Sequence, residues 1–280
     1  MAGPTEWRVR GGAISLERPV VLGILNVTPD SFSDGDRYTE PEAAIEHGLA
    51  LAEAGANVID VGGESTRPGA TPVSPEEEWA RLSGVIEPLA RRGVTVSIDT
   101  MKHTVAERAM DAGAAIVNDV SGLRASPAIA ELCARTGAGL VIMHMRGEPR
   151  TMQEDTRYSD VAAEVGAWLR ESAEFARAAG CAAVQLVVDP GIGFGKSAGG
   201  NLELLACTGE IAALGYPVLV GPSRKSFIGS VARAPATERL GGTLAACVAA
   251  LERGARLFRV HDAGPARQAL DVADAIRRAG

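Results

Sequence analysis

Nine polar residues stand at or just beyond the ends of short apolar runs: Asn26, Glu64, Asp99, Asn118, His144, Asp189, Lys225, Arg259 and His261. Their types suggest what they could bind. Asp99, Asn118 and Asp189 offer carboxylate and amide acceptors, with one amide donor, to a partner rich in N–H groups such as a fused aminopyrimidinone. Each charge-assisted hydrogen bond to such a heterocycle is worth about 1.5–3 kcal/mol. Arg259 and His261 are two positions apart, so on a strand they share a face, and with Asn26 they could hold an anion and its metal ion. "GPSRKS", residues 221–226, joins an apolar run to a helical one, an arrangement that suits anion binding through backbone N–H groups and the helix dipole. "DPGIGFGK", residues 189–196, is glycine-rich but is not a P-loop, because the GxxxxG spacing required before the Lys and its Ser or Thr is absent.

Other chemistries find no pattern. The four histidines, His47, His103, His144 and His261, show no HExxH or other paired spacing for a tightly held zinc. No GxSxG elbow is present, and Ser65, Ser121, Ser223 and Ser226 have no general base beside them in sequence. Catalysis by binding and positioning is the expectation. The cysteines Cys133, Cys181, Cys207 and Cys247 stand singly in Ala- and Leu-rich stretches and read as reduced core thiols, which points to a cytoplasmic protein. A net charge of −7 gives no general reason to bind nucleic acid or acidic lipid. No apolar run is long enough to span a membrane, and the N-terminal stretch has no apolar targeting segment.

The elements that must position these residues alternate in type. Runs rich in β-branched residues, "VVLGILNV", "NVIDVGGES", "VTVSIDT", "AIVNDVS", "GLVIMHM", "VQLVVDPG", "PVLVGPS" and "RLFRVHD", read as eight strands, each followed by a segment of helical period. Trp79, Leu82, Ile86 and Leu89 form one helical stripe; Leu240, Leu244, Cys247 and Leu251 form another, and Ala266, Ala269, Ala273 and Ile276 a third. All three are expected to be core faces. Ser74 with Pro75 marks a helix start, and Gly55, Gly93, Gly113, Gly137, Gly180 and Gly215 fall where helices should end. Eight βα units in about 250 residues have the size of a (β/α)8 barrel. An open doubly wound sheet is the alternative, but no GxGxxG follows the first strand. The expected organisation is one barrel domain over residues 1–280, with 1–19 a short N-terminal extension. A barrel brings every strand end to one mouth, and in such enzymes that face holds the active site.

The ordered series "NVTPDSFSDG", "GGESTRPGA", "SIDT", "NDVSG", "HMRGEPRTMQ", "DPGIGFGK", "SRKS" and "FRVHD", one motif per strand end, resembles the dihydropteroate synthase family of the folate pathway, the enzymes that sulfonamides inhibit. The resemblance covers nearly the whole chain and implies a (β/α)8 fold. It also implies a reaction: 6-hydroxymethyl-7,8-dihydropterin diphosphate condenses with 4-aminobenzoate to give 7,8-dihydropteroate and diphosphate. By that resemblance Asp99, Asn118, Asp189 and Lys225 hold the pterin, with Met143 in its pocket and Arg259 against its ring. Asn26, Arg259 and His261, with Mg²⁺ on Asn26, take the diphosphate. The aminobenzoate is expected near Thr66, Arg67, Pro68, Phe194 and Lys225, its carboxylate at Ser226.

The family breaks the pterin C–O bond first, so Asn26, Asp34, Lys225 and Arg259 carry the catalytic expectation, and no covalent nucleophile is needed. The loop after the first strand would close over the site, with Asp34 facing a forming cation and Phe32 shaping the aminobenzoate pocket. Asp36 stands where the family commonly has Gly. A homodimer is the family's usual assembly. Two other readings stand beside this one, a methyltransferase of the corrinoid-dependent class with a similar pterin site and a binding protein that has lost turnover. The anion-binding motifs argue against the first and the undamaged strand ends against the second.

Overall fold

A computed structural model describes residues 4–28, 40–67 and 69–280. Its first elements are the antiparallel strands β1 (Glu6–Val9) and β2 (Gly12–Ser15). Eight strands follow, one in each of the runs named above: β3 (Val20–Asn26), β4 (Val58–Gly62), β5 (Val96–Asp99), β6 (Ile116–Asp119), β7 (Gly139–Met143), β8 (Leu186–Asp189), β9 (Leu219–Val220) and β10 (Leu257–Val260). Each runs parallel to its neighbours, in the order β8-β7-β6-β5-β4-β3-β10-β9. The Val188–Val218 bridge, with Val188 N–H donating to the Pro217 carbonyl at 3.0 Å, joins the two ends of that order and closes a barrel.

Helices α1 (Glu40–Glu53), α2 (Pro75–Leu82), α3 (Ile86–Arg91), α4 (His103–Asp111), α5 (Ala128–Thr136), α6 (Val161–Ala178), α7 (Ala198–Ala206), α8 (Thr208–Ala212), α9 (Ser226–Ala232), α10 (Leu240–Glu252) and α11 (Ala263–Ala279) surround the sheet. Alternation along the strands divides the core in two. Val21, Leu25, Ile59, Val61, Ile98, Val117, Ile142, Val188 and Phe258 face outward and pack with helix residues such as Leu89, Val105, Ile129, Leu169, Leu204 and Leu270. Leu22, Val58, Ile116, Val141, Val187, Leu219 and Leu257 form a separate inner layer with Trp7 and Val9 of the hairpin. The hairpin thus plugs the N-terminal end of the barrel. Trp7 is fully buried, and its indole N–H donates to the Gln185 carbonyl at 2.8 Å. Within the N-terminal extension, Trp7 and Val9 join the core because the barrel's inner apolar layer needs a cover on that side, while the alternate residues of β1 stay exposed.

Local signals are where the sequence places them. Ser74 caps α2 through its hydroxyl to Glu77 N, with Pro75 as the first helical residue. The six glycines at expected helix ends all have positive φ; at Gly137 this lets its N–H reach back to the Cys133 carbonyl and close α5. Three expectations need correction. Leu240, the first residue of α10, is exposed rather than in the core, because the buried face of that helix runs through Thr243, Cys247, Ala250 and Leu251. The stripe from Trp79 to Leu89 is broken between α2 and α3 rather than continuous. Ile276 is 68% exposed, because the buried face of α11 runs through Ala263, Ala266, Leu270 and Asp274.

Candidate active site

Strand register brings the polar ends together. Asp99 pairs in register with Gly62 on one side and Asn118 on the other, and Met143 pairs with Asp189, so these inward residues reach one level of the barrel. Above them lies a cavity of about 1680 Å³. Asn26, Thr66, Arg67, Asp99, Asn118, Met143, Asp189, Phe194, Lys225, Ser226, Arg259 and His261, all singled out from the sequence, line it. Phe32, Asp34 and Pro68, together with Asp36, lie outside the described residues.

The floor is held by a residue the sequence reading passed over. Asp60 in β4 is fully buried, and its Oδ2 accepts from Arg259 Nε at 2.5 Å and from Asn118 Nδ2 at 3.0 Å. Arg259 Nη2 donates to Asp99 Oδ2 at 2.6 Å, so one guanidinium bridges two carboxylates. The signal was present: a charge in the middle of "VIDVG", on the same face as the strand-end Gly62. Burial pushes the Asp99 carboxyl up to about 7, against the pull of Arg259 and with Asp60 adding to the rise. Burial also pulls on the Arg259 guanidinium, but Asp60 and Asp99 outweigh it and hold the group firmly protonated.

Asp189 ends β8 and accepts the Gly191 N–H at 2.7 Å. Burial raises its pKa, while Lys225 opposes the rise. Lys225 donates to the Ile192 carbonyl and lies 4.5 Å from the Phe194 ring centroid. Burial lowers its ammonium to about 8, with Asp189 holding it up against Arg259. Gly193, at φ +86°, is required there, since a Cβ would stand 2.7 Å from Lys225 Cδ.

His144 is a correction. The sequence places it at the mouth, but Met143 is the residue that faces inward, and one position along a strand reverses the face. The His144 ring packs edge-on against Trp168 at 4.9 Å, and its Nδ1 accepts from Lys196 Nζ at 2.8 Å. Lys196, also buried, donates to the carbonyls of His144, Gly191 and Phe194 at 3.2, 3.0 and 2.8 Å. Burial pushes its ammonium well below the ordinary value, with the Asp189 charge opposing the fall. The lysine of "DPGIGFGK" therefore ties the loop after β8 to the end of β7 instead of facing a phosphate.

Glu64 lines the cavity, but its carboxylate serves the loop after β4. Its Oε1 accepts from Val73 N at 3.1 Å, and Lys102 Nζ bridges Glu64 Oε2 at 2.7 Å and the buried Glu78 Oε2 at 2.6 Å. This brace supports the loop that carries Thr66 and Arg67. Ser223, which lacks a neighbouring base in sequence, meets His261 beyond the ends of the paired strands β9 and β10: Oγ and Nδ1 are 2.9 Å apart. Burial together with the Arg259 and Arg224 charges pushes the His261 imidazole down to about 4, so the ring is neutral near pH 7.

Asn26 ends β3 on the cavity wall. Among the described residues, no group of three or more His, Cys, Asp or Glu could hold a metal ion unaided. One hard amide oxygen beside an anion site fits Mg²⁺, which commonly arrives with phosphate oxygens and water rather than entering a protein cage. All four cysteines are free thiols, and among the described residues no helix is long and apolar enough to cross a membrane.

A family model described as pterin binding enzyme matches residues 22–261. Dihydropteroate synthase of Escherichia coli (strain K12) is 45% identical over 267 residues, 95% of this chain and 94% of that protein. Among solved structures, the Xanthomonas albilineans dihydropteroate synthase with 4-aminobenzoic acid has a TM-score of 0.91 at 45% identity, covering 98% of this chain and 99% of that one. The Burkholderia cenocepacia dihydropteroate synthase complexed with 7,8-dihydropteroate has a TM-score of 0.89 at 39% identity, covering 100% of this chain and 99% of that one.

Proposed function

The chain belongs to the pterin binding enzyme family and within it to the dihydropteroate synthases, and we propose how its own residues divide the work of that reaction. The observation that carries the assignment is the joining of a carboxylate and amide floor, Asp99, Asn118 and Asp189, to a wall made of the Lys225 and Arg259 charges and the neutral His261 imidazole, in one cavity. A flat heterocycle rich in N–H groups suits the floor, and a diphosphate suits the wall.

In this reading Asp189 and Asn118 take the aminopyrimidinone edge of the pterin. Asp99 accepts a ring N–H, and Lys225 donates to the ring carbonyl. Met143 and Arg259 bound the ring faces. Arg259 and His261 hold the diphosphate with Asn26, whose amide oxygen would hold Mg²⁺. When bound, Mg²⁺ supplies neutralisation of the diphosphate charge and so a better leaving group.

The C–O bond between the pterin methylene and the diphosphate breaks, and the electron pair leaves on oxygen. The buried carboxylates of the floor, with Asp34 from the segment after β3, favour the cationic methylene that remains. The aniline nitrogen of 4-aminobenzoate forms the new C–N bond and loses one proton to the released diphosphate or to water. Thr66, Arg67, Pro68 and Phe32 shape the aminobenzoate pocket, the Phe194 and Lys225 side chains form its wall, and Ser226 binds the carboxylate. Assembly as a homodimer and residence in the cytoplasm complete the reading. The test is diphosphate release, with product mass, in the presence of both substrates. Formation of 7,8-dihydropteroate supports the reading, and methyl transfer from a methylated pterin without diphosphate release would overturn it.

A further inference from the structure

The Ser223–His261 contact has the spacing of a nucleophile and its base, but hydrogen-bond accounting reverses its direction. Ser223 Oγ already accepts the backbone N–H of His261 at 3.2 Å. A hydroxyl has one proton to donate, and Ser223 is only 6% exposed. Among the described residues the one acceptor it reaches is His261 Nδ1 at 2.9 Å. Were Nδ1 protonated, the hydroxyl would receive two N–H groups and its own proton would be buried without a partner, which is costly. The economical arrangement is Oγ–H donating to Nδ1.

We propose that Ser223 is a positioning residue that holds the His261 imidazole as the tautomer protonated on Nε2, so that the ring presents an N–H to the anion in the cavity. Diphosphate oxygens only accept hydrogen bonds, so the opposite tautomer would turn a lone pair toward them. Among the described residues Nε2 makes no hydrogen bond, which leaves it for a ligand. The pair, beyond the ends of the neighbouring strands β9 and β10, is held by the residues on either side. Arg224, with φ +57°, donates to Asp262 through Nε at 3.1 Å and Nη2 at 2.6 Å, and its backbone N–H donates to Thr243 Oγ1 at 3.0 Å. The inference rests on the anion site of the proposed function and adds to it the residue that sets its donor.

The test is long-range ¹H–¹⁵N correlation spectroscopy on the full chain with ¹⁵N-labelled histidine at pH 7.5, His261 being assigned by its loss in His261→Gln. The wild-type spectrum should show a protonated Nε2 and a bare Nδ1. In Ser223→Ala that signature should be lost. The Kd for inorganic diphosphate with Mg²⁺ should rise about tenfold, with a matching rise in KM for the pterin diphosphate. Affinity for 6-hydroxymethyl-7,8-dihydropterin, which carries no anion, should stay unchanged. A wild-type ring protonated on Nδ1 overturns the proposal, and so does Ser223→Ala with unaltered tautomer and diphosphate affinity. Equal losses for diphosphate and the uncharged pterin would show a merely structural role and overturn it as well. If the wild-type protein shows the Nε2–H tautomer but binds no diphosphate, the anion-site reading fails while the tautomer assignment stands.

Discussion

Substituting Asp60 separates the charge beneath the site from the hydrogen bonds that accompany it. Its Oδ2 carries the bonds from Arg259 and Asn118, while Oδ1 is buried without a partner among the described residues. Asp60→Asn can put its amide nitrogen where Oδ1 stands and keep its oxygen on both donors, so only the charge is lost. Asp60→Ala removes the charge and both acceptor bonds, leaving the guanidinium with Asp99 alone. Two hydrogen bonds to the charged carboxylate, each of about 1.5 kcal/mol, sum to about 3 kcal/mol, the lower edge of the cost of breaking a buried ion pair. With a urea m-value of about 3 kcal/mol/M, Asp60→Ala should lower the unfolding midpoint by about 1 M.

Asp60→Asn should lose less than half of that. It should also lower the Asp99 pKa, because burial remains but one of the neighbouring charges that raise it is gone. The assays are urea unfolding followed by circular dichroism, and calorimetric titration with the pterin diphosphate between pH 6 and 8. Equal midpoints for wild type and Asp60→Ala, or a greater loss in Asn than in Ala, would refute the reasoning.

Asp99 itself should make pterin affinity depend on pH. Its folded pKa of about 7 lies above the unfolded value of about 4, so the extra proton's contribution to stability is fully present below about pH 4 and is lost as pH rises through 7. The ionised form accepts the pterin N–H, so affinity should rise through pH 7 with proton release, seen as a buffer-dependent heat; a flat profile from pH 6 to 8 contradicts this. Asp189→Ala should weaken pterin binding by about a hundredfold or more in a folded protein, since two N–H bonds to a carboxylate are lost, and unchanged calorimetric affinity would dismiss the assignment. Lys196→Met leaves three carbonyls and His144 Nδ1 without their donor and should cost about 3–5 kcal/mol of stability; an unaltered unfolding midpoint would argue against that role. Trp7→Ala should cost about 3–5 kcal/mol while leaving KM for both substrates unchanged, because Trp7 sits at the barrel end opposite the cavity; a changed KM would sink the separation of the two ends.

Much of the site was legible because local rules govern it. Apolar strands with period-two alternation, helix caps such as Ser74, and polar residues at the C-terminal ends of the runs are short-range features of the chain, and a barrel necessarily gathers those ends. Asp99, Asn118, Asp189 and Arg259 could be named on that basis alone. Which of two adjacent residues faces inward is a different matter. Met143 enters the cavity and His144 leaves it because register against β6 and β8 sets the face, and no local preference distinguishes the two. Asp60 was hidden for a related reason: a lone carboxylate within an apolar strand has meaning only once Arg259, on β10, arrives to pair with it. Ser223 and His261 are 38 residues apart and meet only because β9 and β10 pair side by side. The sequence alone therefore determined the repeated βα units and the chemical character of their ends, since both follow from short-range periodicity. Closure of the sheet decided the partners, because a hydrogen bond between distant strands depends on register and on the opposing face, neither of which a single segment contains.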